Sequence, residues 1–144
     1  MAELSASAED LLRLDAIYGF LGSATAVLHL CAGIHALPAA ISDLAPGATA
    51  VTQDIAKPDC EAELRRTMAH SACAAFDLVI HHAGPVVVAL NLATRFLASR
   101  GTFVAKVCTC FSLSGSCLTV SSIVIFISKS RMIVAIFWHS LADS

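Results

Sequence analysis

Apolar residues return at three- and four-residue steps over 8–21, where Leu11, Leu12, Leu14, Ile17, Tyr18 and Leu21 fall on one face. That spacing predicts a helix, and Gly19 and Gly22 mark its end. Ala26-Val27-Leu28-His29-Leu30 is a short apolar run of the length a buried strand needs. The segment 35–44 is predicted helical, with Pro38 in its first turn and Pro46-Gly47 closing it, and Val51-Thr52-Gln53 is a brief strand leading into Asp54. Over 58–74, Pro58, Asp59, Glu61 and Glu63 precede Arg65 and Arg66, the charge order that a helix dipole favours. Phe76–Ile80 is a second buried strand, 86–99 returns to helical spacing, and 101–107 is a third strand introduced by Gly101.

Strands alternating with helices imply a parallel sheet with helices on both faces. Such sheets bind ligands outside the carboxyl ends of their strands, near the point where strand order reverses. His29 to Gly33, Asp54, His81 to Pro85 and Lys106 should therefore lie along one rim.

The pattern changes after residue 111. Residues 1–111 carry the alternation, whereas 112–144 form a Ser-rich, apolar segment interrupted by Lys129-Ser130-Arg131. Its first apolar run is shorter than the roughly 20 residues a membrane helix needs, and a span joining both runs would bury Lys129 and Arg131 near its middle. The segment is expected to pair as strands or pack loosely, with a membrane anchor as the alternative.

Composition sharpens this. The chain has 144 residues, 57% of them apolar and only 14% charged, enough for one domain with a large core and little polar surface to cover it. A net charge of −2 argues against a broad basic face for nucleic acid, so such a partner would meet a local patch or arrive through another protein. The six cysteines form no CxxC pair and follow no basic, apolar leader, which fits reduced thiols inside a cell. Cys108, Cys110 and Cys117 lack a second paired set at zinc-site spacing, and His81-His82 with His29 or His35 reads as hydrogen-bonded structure rather than a metal site. No metal is expected.

Three stretches in order resemble the FtsJ-like (RrmJ-type) ribosomal RNA 2′-O-methyltransferases, above all the nucleolar branch that acts on precursor rRNA. They are Ile17-Tyr18-Gly19-Phe20-Leu21 with Val27-Leu28-His29-Leu30-Cys31-Ala32; Gln53-Asp54-Ile55 with Asp59-Cys60 and Glu63-Leu64-Arg65; and Phe76–His81, Pro85 and Gly101–Val107. The resemblance implies a Rossmann-like α/β fold that binds S-adenosylmethionine and methylates a ribose 2′-hydroxyl of RNA. The fold would be incomplete, with the second-strand region and the C-terminal strands missing or replaced. It further implies that Asp54 holds the adenine amino group with Ile55 beside the ring, that Cys31, Ala32 and Gly33 approach the cofactor by their backbone, and that Lys106 takes the hydroxyl proton. Pre-rRNA and ribosome-assembly proteins are the implied partners, and the nucleus and nucleolus the implied location.

The departures bear on catalysis. His29 stands in place of an aspartate, Ile34-His35 in place of Pro-Gly, and His82-Ala83-Gly84-Pro85 in place of Asp-Gly-Ala-Pro. Asp10 occupies the place of the first catalytic lysine, and the catalytic glutamate of a later strand has no counterpart. No room is left between Gly47 and Val51 for the strand whose acidic residue binds the ribose. Only Lys106 keeps its place, with His82 as a substitute base and cofactor contact, so little or no methyl transfer is expected. A non-catalytic module in ribosome assembly and a small membrane-associated protein are the alternatives.

Overall fold

The computed structural model describes residues 6–31, 41–42, 45–81, 84–113, 116–128 and 131–140, with side chains over 11–31, 41–42, 45–81 and 84–105. Helix α1 (Ala6–Tyr18) buries Leu11 and Leu14. It stops at Gly19, whose φ of +64° is the left-handed conformation that lets its N–H return to the Asp15 carbonyl at 2.7 Å. The Asp15 carboxylate then accepts the Leu21 N–H at 2.8 Å and turns the chain toward the sheet.

Strands β1 (Ala26–Cys31) and β2 (Thr49–Asp54) follow, then helix α2 (Cys60–His70), strand β3 (Phe76–His81), helix α3 (Val86–Phe96), and strands β4 (Leu97–Leu113), β5 (Ser116–Ser128) and β6 (Arg131–Ser140). They form one six-stranded sheet in the order β2-β1-β3-β4-β5-β6. β2, β1, β3 and β4 run parallel, and β5 and β6 add antiparallel. Order reverses at β1, whose two neighbours are β2 and β3, so the switch point lies between the tips of β1 and β3.

Both faces of the parallel part are covered. α1 packs with Leu11, Leu14 and Leu21 on Val27, Leu78, Ile80 and Val104. α2 and α3 pack with Leu64, Met68, Ala89, Leu92 and Phe96 on Leu28, Leu30, Val79, Phe103 and Ala105. Strand residues of alternate parity supply the two sets, as the two-residue period of a strand requires.

The predicted helix over 35–44 lies outside the described residues except for Ile41 and Ser42, which are helical. α2 starts two residues after Pro58, because Lys57–Cys60 first makes a turn closed by the Cys60 N–H on the Lys57 carbonyl. α3 ends three residues short of the predicted 99: Leu97 adopts ψ 132° and pairs with Phe76, so the sheet claims residues whose spacing alone suits a helix. β4 runs through residue 111 to Leu113, and β5 and β6 continue the same sheet. Because β3 ends at His81 opposite Ala105, residues 106–113 of β4 reach about 26 Å beyond it at ~3.3 Å per residue. Among the described residues no helix is long and apolar enough to cross a membrane.

Candidate functional site

Register decides which residues meet at the carboxyl rim. Cys31 lies opposite Asp54, Leu30 opposite His81, and His81 opposite Ala105, with Lys106 next along β4. The rim therefore carries Asp54, Cys31, His81 and Lys106 from four adjacent strands, with Pro85 at the start of α3 beyond β3. At ~4.8 Å between strands, Asp54 and Lys106 stand about 14 Å apart across the sheet. They cannot grip one small group, but they can bracket an elongated one.

The β1–β2 end of the rim is tightly built. The Ile55 N–H donates to the Cys31 carbonyl at 2.9 Å, and Asp54 Oδ1 accepts the Ala56 N–H at 2.9 Å, an Asx turn that fixes the carboxylate. Among the described residues the second Asp54 oxygen makes no hydrogen bond. Gln53, 4% exposed, donates its amide to Glu63 Oε2 at 3.1 Å, and Lys57 Nζ lies 3.6 Å from the same oxygen. This network clamps the β2 tip to α2. It was not foreseen; the available signal was an amide at a core-facing strand position followed by a carboxylate on the next helix.

Cys31 is buried, and burial, aided by the nearby Asp54 carboxylate, pushes its thiol above the ordinary cysteine range. It is a packing residue here and not a nucleophile. Ile55, 5% exposed, belongs to the core beneath α2, so its side chain faces inward and only its backbone reaches the rim.

At the switch point the buried His81 ring faces the Gly84 carbonyl, Nε2 to O 3.0 Å, a contact in which Nε2 carries the proton and donates. Gly84 has φ +104°, a conformation a side chain resists. His29 is buried on the opposite face from His81, since it lies one residue off the Leu30–His81 pair, and the two imidazoles cannot share an ion. Among the described residues no three His, Cys, Asp or Glu side chains group to hold a metal. Ala32, Gly33 and His82 lie outside the described residues. For Lys106 the backbone gives its position: it pairs with Val124, and β4 continues beyond it, so this lysine is not at a strand end.

The opposite rim is structural. Asp77 accepts the Thr25 N–H and hydroxyl, both at 2.8 Å, and the Ala26 N–H at 3.0 Å, tying β3 to the start of β1. A cavity of about 340 Å³ lies on this side, lined by Tyr18, Ser23, Asp77, Arg100 and Thr102 among others, away from the carboxyl rim.

No protein-family model matches the chain, and no curated protein matches it in sequence. Solved structures do match. A provisionally assigned ribosomal RNA methyltransferase from Plasmodium falciparum superposes with TM-score 0.57 and 14% identity, over 95% of this chain and 98% of that one. A sugar N-methyltransferase from Streptoalloteichus matches with TM-score 0.45 and 14% identity, over 97% of this chain and 74% of that one. A protein from Pyrococcus horikoshii matches with TM-score 0.45 and 15% identity, over 94% and 77%. At the identity of the first match the likeness is one of fold: the chain is a mixed α/β protein built on a four-stranded parallel sheet of the Rossmann-like methyltransferase type.

Proposed function

We propose that the chain binds S-adenosylmethionine at the carboxyl rim of its parallel sheet, as a relative of the FtsJ-like RNA ribose 2′-O-methyltransferases whose methyl-transfer chemistry is weakened or lost. The observation that carries this is the register that sets Asp54, Cys31, His81 and Lys106 side by side at the switch point of such a fold.

The residues fit a nucleoside. In nucleotide-binding sheets of this kind the acidic residue that takes the ribose hydroxyls sits one strand from β1. With β2 paired directly to β1, Asp54 occupies that place, so we assign it to the ribose rather than to the adenine amino group. Its uncommitted oxygen accepts a hydroxyl proton while its partner oxygen stays locked by Ala56. The backbone turn after Cys31 would face the amino-acid arm. When bound, the cofactor supplies an electrophilic methyl on a sulfonium. Lys106 is left to draw the proton from an RNA hydroxyl, with His82 as the other candidate base. Two groups in place of four cooperating ones lower a rate by orders of magnitude. RNA, and pre-rRNA in particular, is the proposed substrate, met in the nucleolus.

A non-catalytic role in ribosome assembly is the alternative reading. Titration calorimetry of the full chain with S-adenosylmethionine separates the two. Heat that is lost in Asp54→Asn supports the binding site, and no heat at millimolar cofactor overturns it. Methyl incorporation into RNA that survives Lys106→Ala would overturn the lysine's role.

A further inference from the structure

Glu61 binds two guanidiniums at once, one from each helix on its face of the sheet. Arg65 Nη2 donates to Oε1 at 3.0 Å, and Arg95 Nη1 donates to Oε2. The three charges leave one positive in excess, and Arg66, exposed at the next position of α2, has no acidic partner among the described residues. The Arg65 guanidinium also lies over the Phe96 ring, 4.9 Å from its centroid. Phe96 is 4% exposed and the Arg65 side chain 61%, so the ring backs the guanidinium on one side and solvent meets the other. A cavity of about 290 Å³ opens beside it, lined by Arg65, Arg95, Met68, Cys73 and Phe96 among others. Each arginine spends one N–H on Glu61, which leaves most of each guanidinium fork available to a second acceptor. The carboxyl ends of α2 and α3 disfavour an anion, but that field fades within one turn, and Glu61 gathers both guanidiniums at the first turn of α2.

We infer that this surface of α2 and α3 is a nucleotide-binding site separate from the carboxyl rim, with the base stacked on the outer face of Arg65 and the phosphate on Arg95. The occupant follows from chemistry. A guanidinium is a planar cation that takes a phosphate through its edge and a base on its face. Glu61 fixes two of them in place, so little side-chain freedom is left to lose on binding. Arg66 adds attraction for an anion at longer range. An acidic peptide would use the charges and leave the backed guanidinium face and the cavity beside it unused. One nucleotide uses all three, whether it is a single molecule or part of a strand. Side chains on a helix lean toward its amino end, and α2 and α3 both begin on the side of the carboxyl rim, so a strand held here would run toward that rim. That extension to an RNA strand rests on the proposed function; the nucleotide site itself needs no cofactor.

Magnetic-resonance titration of the full chain with uridine monophosphate and with a short oligouridylate tests this. The Met68 methyl and Phe96 ring resonances should shift while Cys31 and Asp54 stay in place, and Asp54→Asn should leave the titration unchanged even where it abolishes binding at the rim. Tighter binding of the oligomer identifies a strand as the source, and equal binding identifies the single nucleotide. Arg95→Gln should weaken the oligomer at least fivefold and flatten its salt dependence by about 0.7 in slope, the loss of one phosphate contact on a single strand. Arg65→Lys should weaken it while keeping that slope, because an ammonium has the charge but no plane. Glu61→Gln should lower the melting temperature yet tighten the oligomer, since it loosens the helices and removes the one opposing charge. No shift at millimolar nucleotide, shifts confined to the rim, full binding in Arg95→Gln, or displacement by an equal concentration of polyglutamate would each overturn the inference. Glu61→Gln that weakens binding along with stability would overturn it too, by marking a helix clamp and not a site. The titration of the parent chain decides even if a variant does not fold.

Discussion

The main-chain N–H of Ile55 donates to the carbonyl of Cys31 at 2.9 Å, one residue past the last paired position of β2. The ladder between β1 and β2 is thereby extended into the rim, and Cys31 is sealed beneath it. Burial and the adjacent Asp54 carboxylate hold the Cys31 thiol above its ordinary range, so its thiolate is scarce near neutrality. Alkylation followed by peptide mapping should modify the half-buried Cys60 and Cys73 in the folded chain, and Cys31 only after denaturant is added. Labelling of Cys31 at the rate of Cys60 would mean that the seal is absent.

Gln53 and Glu63 present a second opportunity. Glu63→Ala removes the 3.1 Å acceptor of a buried amide whose other bond, to the Asp54 carbonyl, is long at 3.4 Å. Leaving that amide under-satisfied should cost about 1–3 kcal/mol in urea unfolding. Replacing both partners with leucine should recover part of the loss, because no polar group is then stranded. Since Gln53 adjoins Asp54, Glu63→Ala should also weaken the proposed binding of S-adenosylmethionine, and equal binding to the parent chain would separate the clamp from the site.

Strands β1 and β3 were legible in the sequence because each is a compact apolar run, whereas β2 showed only as the brief Val51-Thr52-Gln53. The tip carrying Cys31 follows from where the apolar run Val27–Leu30 ends, and Asp54 directly follows the short strand Val51–Gln53. The Gln53–Glu63 clamp was not legible, because its partners are separated by a turn and meet only once β2 commits one face to the core. The burial of Ile55 was hidden in the same way: its side chain packs into the core cluster with Leu64 and Met68. Leu97 has no local mark of a strand and joins the sheet by pairing with Phe76, after which the register shifts before Leu78 meets Thr102, a choice made by tertiary contact over spacing. Beyond residue 112 the apolar positions lack a two-residue period, since both faces of β5 and β6 are apolar, and alternation had nothing to report.

Asp77 should make the fold acid-sensitive. Burial alone would raise its carboxyl, but the Thr25 and Ala26 N–H groups and the Thr25 hydroxyl together outweigh that and hold it below the ordinary range. A folded-state value below the unfolded one means that the contribution is complete above the unfolded pKa, about 3.9. It is lost as pH falls from there through the folded value. The stability advantage of the parent chain over Asp77→Asn should therefore be constant at neutral pH and shrink below about pH 4. An advantage that persisted at lower pH would show that the carboxylate charge is not what holds β1 to β3.

Gly84 joins backbone conformation to the switch point. Its φ of +104° lies where a Cβ is strained, and that conformation presents its carbonyl to His81 Nε2 at 3.0 Å. Gly84→Ala must either carry the strain, about 1–3 kcal/mol, or relax the turn and lose the histidine contact. Either route lowers thermal stability, but they differ at the ring. If the turn holds, the His81 imidazole resonances keep their positions and only the melting temperature falls. If it relaxes, they shift toward those of an imidazole released from its carbonyl, and the tip of β3 loosens beside Cys31. The second outcome should also weaken the proposed binding of S-adenosylmethionine, because His81 and Cys31 flank the same switch point. Unchanged stability in Gly84→Ala would mean that the turn tolerates a side chain and does not set the shape of the rim.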